Sequence, residues 1–223
     1  MIPSKEQYKV TPNEYLRGKT NICQLIDPGH GGVIDGKYTT YPSKMKDWGS
    51  FVFYEGVYNR LLAYNTMYHC REMRLNYKLL VPESDDISLD ERVHRAELFQ
   101  ANHPELKCYY HSIHGNAFGI NSVNGVEVYT YHGKSASDKI ASTYYHYLEW
   151  LKWKMRPDTS DGDPDKEAAF YVLKYTSMPA ILTETGFYTN LKQATDMASP
   201  RIQDKIGLIF AVAQQQIKDE IFN

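Results

Sequence analysis

The chain has 223 residues, of which 42% are hydrophobic and 23% charged, with a formal net charge of −2. That balance describes a globular protein with a substantial core, in one large domain or two small ones. It excludes a polyanion binder, and no apolar run reaches transmembrane length, so neither a nucleic-acid partner nor stable membrane insertion is expected.

Residues 1–20 are polar, contain prolines and lack the apolar core of a signal peptide. They read as an N-terminal extension, irregular or packed onto a domain spanning 21–223, and synthesis in the cytoplasm is expected. Cys23, Cys70 and Cys108 are far apart and form no CxxC pair, so buried free thiols are expected rather than a disulfide framework or a thiolate metal site. A first strand, Asn21–Ile26, runs into Asp27-Pro28-Gly29-His30-Gly31-Gly32. Glycines on both sides keep bulk away from the imidazole and permit unusual backbone angles. Two readings are open for His30: a ligand for metal or substrate at a strand end, or an exposed histidine in a tight turn. The spacing does not make a phosphate cradle.

A loop over 35–50 is followed by a helix over Tyr54–Asn76 with apolar positions at a period near 3.6. Glu55 opens that helix and Asn59 faces the same way one turn on. A first-turn carboxylate also serves as a helix-dipole device. A second strand over Tyr77–Val81 and a helix from Leu89 to about Ala101 precede a third strand, Lys107–Ile113. Alternation puts Tyr110, Ser112 and His114 on one face of it, and His111 and Ile113 on the other. His114, beside a glycine, mirrors His30 at a second strand end; His111 reads as a hydrogen-bonded core residue. His69, His94, His103, His132 and His146 lie in helical or loop contexts without convergent partners.

A fourth strand is expected over Gly125–Tyr131 and a long helix over Ser135–Lys154. Arg156–Asp165, with four aspartates, two prolines and a glycine, reads as a solvated loop. Strand-like runs follow at Ala169–Leu173 and Ala180–Thr183, then a helix over Pro200–Ile221. Glu184 follows a buried-looking strand, where a charge is costly unless bonded or functional, and a surface glutamate at a strand end is the alternative. Strands alternating with helices point to an α/β domain whose functional groups gather at strand ends. Two histidines and a glutamate suit zinc with a fourth position left for water, and a nearby carboxylate can accept that water's proton.

IDPGHGG at 26–32, EGVYNRLLA from Glu55, Arg92 and Asn102 in the next helix, SIHGNA at 112–117, GVEVYT at 125–130 and MPAILTETGFYTN at 178–190 occur in that order. Together they resemble the zinc-dependent N-acetylmuramoyl-L-alanine amidases of the Amidase_3 family, from about Ile22 to the C-terminal helix. The resemblance implies a single α/β domain, with a mixed, mainly parallel sheet flanked by helices, of phosphorylase/hydrolase-like type. It implies Zn²⁺ held by His30, Glu55 and His114, Glu184 as the catalytic carboxylate, and Asn116 as a substrate contact. Arg92 matches a family position and also fits a structural ion pair. The implied partner is peptidoglycan, cut between N-acetylmuramic acid and L-alanine, by a monomer. A short extension on a catalytic domain resembles phage endolysins, which reach the wall when a holin opens the membrane. The competing expectations are a zinc carboxypeptidase or other peptidoglycan peptide hydrolase, and a non-catalytic wall-binding module, against which the full ligand set argues.

Overall fold

Every residue of strand β2 (Ile22–Pro28) is buried, and a strand with no solvent face belongs inside a sheet covered on both sides. The computed structural model, which describes residues 12–222, shows that arrangement. β1 (Glu14–Tyr15) precedes β2. The segment expected as a loop over 35–50 contains β4 (Lys37–Tyr38) and β5 (Met45–Asp47), which pair with β3 (Val33–Ile34) before it and β6 (Val52–Tyr54) after it in two small antiparallel ribbons. Then come α1 (Glu55–Met73), β7 (Asn76–Leu79), α2 (Leu89–Asn102), β8 (Lys107–Asn116), β9 (Glu127–Thr130) and α3 (Ala136–Leu148). The chain continues through β10 (Lys166–Glu167), α4 (Tyr171–Tyr175), β11 (Ala180–Phe187), α5 (Leu191–Met197) and α6 (Pro200–Gln216).

The main sheet has the order β1-β7-β2-β8-β11-β9-β10. Its centre, β7-β2-β8-β11, is parallel; β1 and β9 run antiparallel to their neighbours β7 and β11. The fold is thus a single α/β domain with a mixed, mainly parallel sheet. Ile26, Tyr109, Ile113 and Ile181 face the core shared with α1, α3 and α6. Leu25, Tyr110 and Leu182 face the other, with α2 and α4. Local chemistry starts the helices as expected: Ser88 caps α2, Ser135 and Asp138 form a capping box on α3, and Pro200 opens α6.

His111 lies on the first face, fully buried between Tyr144 and Phe210. Gln24 Nε2 donates to its Nδ1 at 2.6 Å, so its Nε2 carries the proton that meets Thr183 Oγ1 at 2.9 Å. Burial pushes its pKa down to about 3, which keeps the ring neutral. All three cysteines are buried and free.

The structure departs from expectation in several elements. Glu14 and Tyr15, inside the expected extension, pair antiparallel with β7, while residues 1–11 lie outside the described range. The run at 169–173 is not a strand: after Phe170 the chain turns into α4, where Leu173 and Lys174 both donate backbone N–H groups to the Phe170 carbonyl. β-favouring side chains there yield to pairing, because β10 already fills the sheet edge beside β9. α5 is an unexpected helix whose cap, Asn190 accepting from the Gln193 N–H, is a legible start signal. α3 stops short of Lys154, ending in a 3₁₀ turn at Leu151 before Lys152 adopts φ 59°. α6 stops at Gln216 rather than Ile221.

α1 and α6 cross at Gly207, where an added Cβ would lie 2.5 Å from Asn65 Cβ. Alanine at an unencumbered helix site would stabilise. Gly207→Ala is instead expected to lower stability by about 1–3 kcal/mol by forcing the helices apart, read as a reduced urea midpoint at unchanged m-value.

Candidate metal centre

The loop after β2 is fixed by hydrogen bonds at nearly every backbone group. Arg92 donates to the Pro28 carbonyl, Asn59 to that of Gly29, and both Arg60 and Arg92 to that of His30. The N–H groups of Gly29, Gly31 and Gly32 reach Ile113 O, Thr40 Oγ1 and Ser84 O. Within this frame His30 itself takes the left-handed conformation, φ 63°, a strained choice for a non-glycine residue. The flanking glycines were expected both to keep bulk away and to permit unusual backbone angles; here they serve close approach, and the positive φ falls on His30 itself. A Cβ on Gly29 would enter the His114 ring, one on Gly31 would strike Thr39 Oγ1, and one on Gly56 would strike the Gly31 carbonyl.

Asp27 and Ser112 lie beneath the loop. Arg92 and Asp27 form an ion pair with side chains 2% and 1% exposed, and Ser112 Oγ donates to the second Asp27 oxygen. Burial alone would raise the Asp27 carboxyl, but the Arg92 charge and the hydrogen bonds outweigh it and hold the pKa below its ordinary value. Arg92 is therefore a structural cation.

α1 begins at Glu55, and its first turn projects that carboxylate at the loop. Glu55 Oε1 lies 3.0 Å from His114 Nδ1 and 3.2 Å from His30 Nε2. The two imidazoles stand edge to face, with centroids 5.0 Å apart. One donor atom from each of the three residues falls within 4.8 Å of the others. Zinc bonds of about 2.0–2.1 Å in tetrahedral geometry place ligand atoms roughly 3.3 Å apart, and imidazole with carboxylate is zinc donor chemistry, so these residues fit the ion. Burial would raise the Glu55 carboxyl, yet the paired imidazoles win and hold it at about 2, so it is anionic at neutral pH.

Glu184 stands inside β11, not beyond its end, in register with His114 on β8 and with Glu127 on β9. The hydroxyl of Thr185 donates to the His114 carbonyl at 3.0 Å, tying the two strands at the site. Glu184 Oε2 is enclosed and has no hydrogen-bond partner. Burial, followed by the charges of Glu55 and Glu127, raises its pKa well above the ordinary value; Lys44 opposes them. A cavity of about 520 Å³ runs over His30, Glu55, His114 and Glu184, with Lys44 and Tyr188 in its wall.

His30, Glu55, His114 and Glu184 converge as the sequence motifs lead one to expect, and His111 stays on the opposite face. Asn116 lines the cavity, but its amide is engaged: Nδ2 donates to Glu127 Oε2 and Oδ1 accepts from the Ala117 N–H. Arg60, Lys44 and Glu127 were not singled out from the sequence. For Glu127 a signal existed, because it is a charge in an apolar strand, as Glu184 is. Glu127 is 3% exposed and is held by Arg156, Lys166, Tyr129 and Asn116.

The profile of the Amidase_3 family, described as N-acetylmuramoyl-L-alanine amidase, matches residues 25–213. The chain is 36% identical over 121 residues to the N-acetylmuramoyl-L-alanine amidase LytC of Bacillus subtilis, covering 53% of this chain and 22% of that protein. It is 32% identical over 181 residues to the amidase CwlM of Bacillus licheniformis, covering 78% of this chain and 60% of CwlM. The chain thus spans less than two thirds of either relative. The N-acetylmuramoyl-L-alanine amidase AmiC2 of Nostoc punctiforme shares the fold, with a TM-score of 0.70 and 24% identity, over 89% of this chain and 98% of that one.

Arg92→Met strands the Asp27 charge and is expected to cost about 3–5 kcal/mol. Since the Asp27 pKa is lowered by folding, the stability it confers is complete above the ordinary carboxylate value and drains away as pH falls through the lowered one. Urea titrations at descending pH should show that loss in the parent chain, and a shallower slope in Arg92→Met.

Proposed function

Because the chain belongs to the Amidase_3 family of N-acetylmuramoyl-L-alanine amidases, we propose that it is a zinc enzyme acting on peptidoglycan. The bond cut is the amide between the lactyl group of N-acetylmuramic acid and the L-alanine of the stem peptide. The observation that carries this reading is the meeting of His30, Glu55 and His114, from three separate segments, beside the Glu184 carboxyl on the neighbouring strand, whose Oε2 is enclosed.

His30, Glu55 and His114 would hold the ion, three protein donors being the set of a catalytic zinc. The chemistry that bound zinc supplies is polarisation of the scissile carbonyl and acidification of water to a pKa of about 7. Glu184 takes the proton of the attacking water and returns it to the alanine nitrogen as the C–N bond breaks. A carboxyl raised above its ordinary range is matched to that exchange near neutral pH. Glu55 remains an anion throughout, and Arg60 and Arg92 keep His30 in place. We extend the reading to action at the cell wall and, through the resemblance to endolysins, to phage-driven lysis after synthesis in the cytoplasm. Co-expression with a holin is then expected to lyse the host where expression alone does not.

On purified peptidoglycan the enzyme should free L-alanine amino groups on intact stem peptides, whereas release of a C-terminal amino acid would mark a carboxypeptidase and overturn the assignment. Glu184→Gln is expected to keep its metal and lose about 10²–10⁴-fold in kcat. His114→Ala should lose the metal and His111→Ala retain it, by elemental analysis. The acid limb of kcat/KM should rise with pH above the ordinary glutamate range as Glu184 ionises, and should vanish in Glu184→Gln.

A further inference from the structure

Two permanent cations, Arg92 and Lys44, border the cavity over the metal centre, and they differ in what they hold. Arg92 is 2% exposed and committed to Asp27 and to the carbonyls of Pro28, His30 and Ile87. Lys44 is half-buried, and among the described residues its ammonium makes neither an ion pair nor a hydrogen bond. Its backbone is fixed all the same. The Lys44 carbonyl accepts the Glu55 N–H at 3.0 Å, and β5, which it precedes, pairs with β6 through Met45 and Tyr54. Lys46, two residues on, already lies over the ring of Trp48. Lys44 therefore brings an uncommitted ammonium on a fixed root to the edge of the metal centre.

The cavity has two unlike walls. Ile87, Leu89, Phe170 and Tyr171 stand at the starts of α2 and α4, on one face of the sheet. Lys44 and Tyr188 stand on the other side, with Phe53 and α1. On the amidase reading the substrate is equally lopsided. The sugar side of the scissile bond is uncharged once the lactyl carboxyl is in amide linkage, whereas the stem peptide carries carboxylates beyond its alanine. Against the apolar wall such an anion would lose its solvation without a partner. Consecutive Cα atoms lie about 3.8 Å apart, so the residue after alanine is the nearest whose carboxylate can reach the Lys44 ammonium. Resting on that reading, we propose that Lys44 is a specificity-determining residue, receiving a carboxylate of the residue that follows alanine. The peptide is then set towards β5 and the neutral sugar towards Phe170 and Tyr171.

The test is cleavage of two matched substrates, N-acetylmuramoyl-L-alanyl-D-glutamic acid γ-amides whose α-carboxyl is free in one and amidated in the other. The zinc-loaded full chain is expected to favour the free acid by about fivefold to tenfold in kcat/KM, chiefly through KM. Lys44→Arg should keep that preference, Lys44→Met lose it and Lys44→Glu reverse it. Because both substrates meet the same enzyme, the ratio is independent of how much metal each variant holds. The same pair titrated calorimetrically into Glu184→Gln should differ in Kd by a similar factor, and should not differ once Lys44→Met is added. Equal kcat/KM for the two substrates in the parent chain, or a preference that survives Lys44→Met, overturns the assignment. So does an equal fall in kcat on both substrates with the ratio unchanged, which identifies a lysine acting through Glu184 instead. Cleavage of neither substrate defeats the amidase reading, and the calorimetric pair then decides Lys44 by itself.

Discussion

The carbonyl oxygen of His30 accepts from two guanidiniums, Arg60 at 2.8 Å and Arg92 at 3.1 Å. Arg92 can lie there only because Asp27, on β2, neutralises it out of contact with water. This buried pair is costly to desolvate and repays that cost in position more than in stability. It joins α2 to the end of β2, and it holds a histidine in a backbone conformation that the chain would otherwise leave. The candidate metal ligands take their places relative to that loop: Glu55 rises to meet the imidazole, and the missing Cβ of Gly29 admits the ring of His114.

Two carboxylates on one cavity are driven in opposite directions. Glu55 is more buried than Glu184, yet it faces two imidazoles and stays ionised. Glu184 faces Glu55 and Glu127, with an oxygen that nothing satisfies, and is pushed towards its protonated form. Environments that separate titratable neighbours in this way divide the work between a permanent anion and a proton carrier. Glu127 contributes to the second effect while being neutralised by Arg156 and Lys166, so the cavity does not collect an unbalanced negative charge.

His30, Glu55, His114 and Glu184 were legible in the sequence because each stands in a short block whose glycines and apolar neighbours are local. The opposite faces of His111 and His114 followed from strand alternation alone. Arg60 was not legible, since nothing near it in sequence reveals that its partners are the carbonyls of residues 30 and 83, which only folding brings together. The run at 169–173 has the side chains of a strand and becomes a helix because the sheet has no place for it. α5 was missed although Asn190 and Gln193 mark its start, the cap being masked by the shortness of the apolar pattern that follows. The glycines were recognised as making room, but a single sequence cannot show which ring or carbonyl will press against a missing side chain.

His114 and Glu184 are neighbours on adjacent strands, locked by the parallel ladder of β8 and β11. The spacing between the proposed ligand and the proposed base is therefore a backbone dimension, set by the repeat of the sheet itself. Divergence towards new substrates has to come from what surrounds this fixed gauge. The exposed Phe170 and Tyr171 at the cavity rim stand at the N-cap and first position of α4, outside the sheet. The distance on which the proposed chemistry depends and the walls that would select a substrate are thus carried by different parts of the chain and can evolve independently.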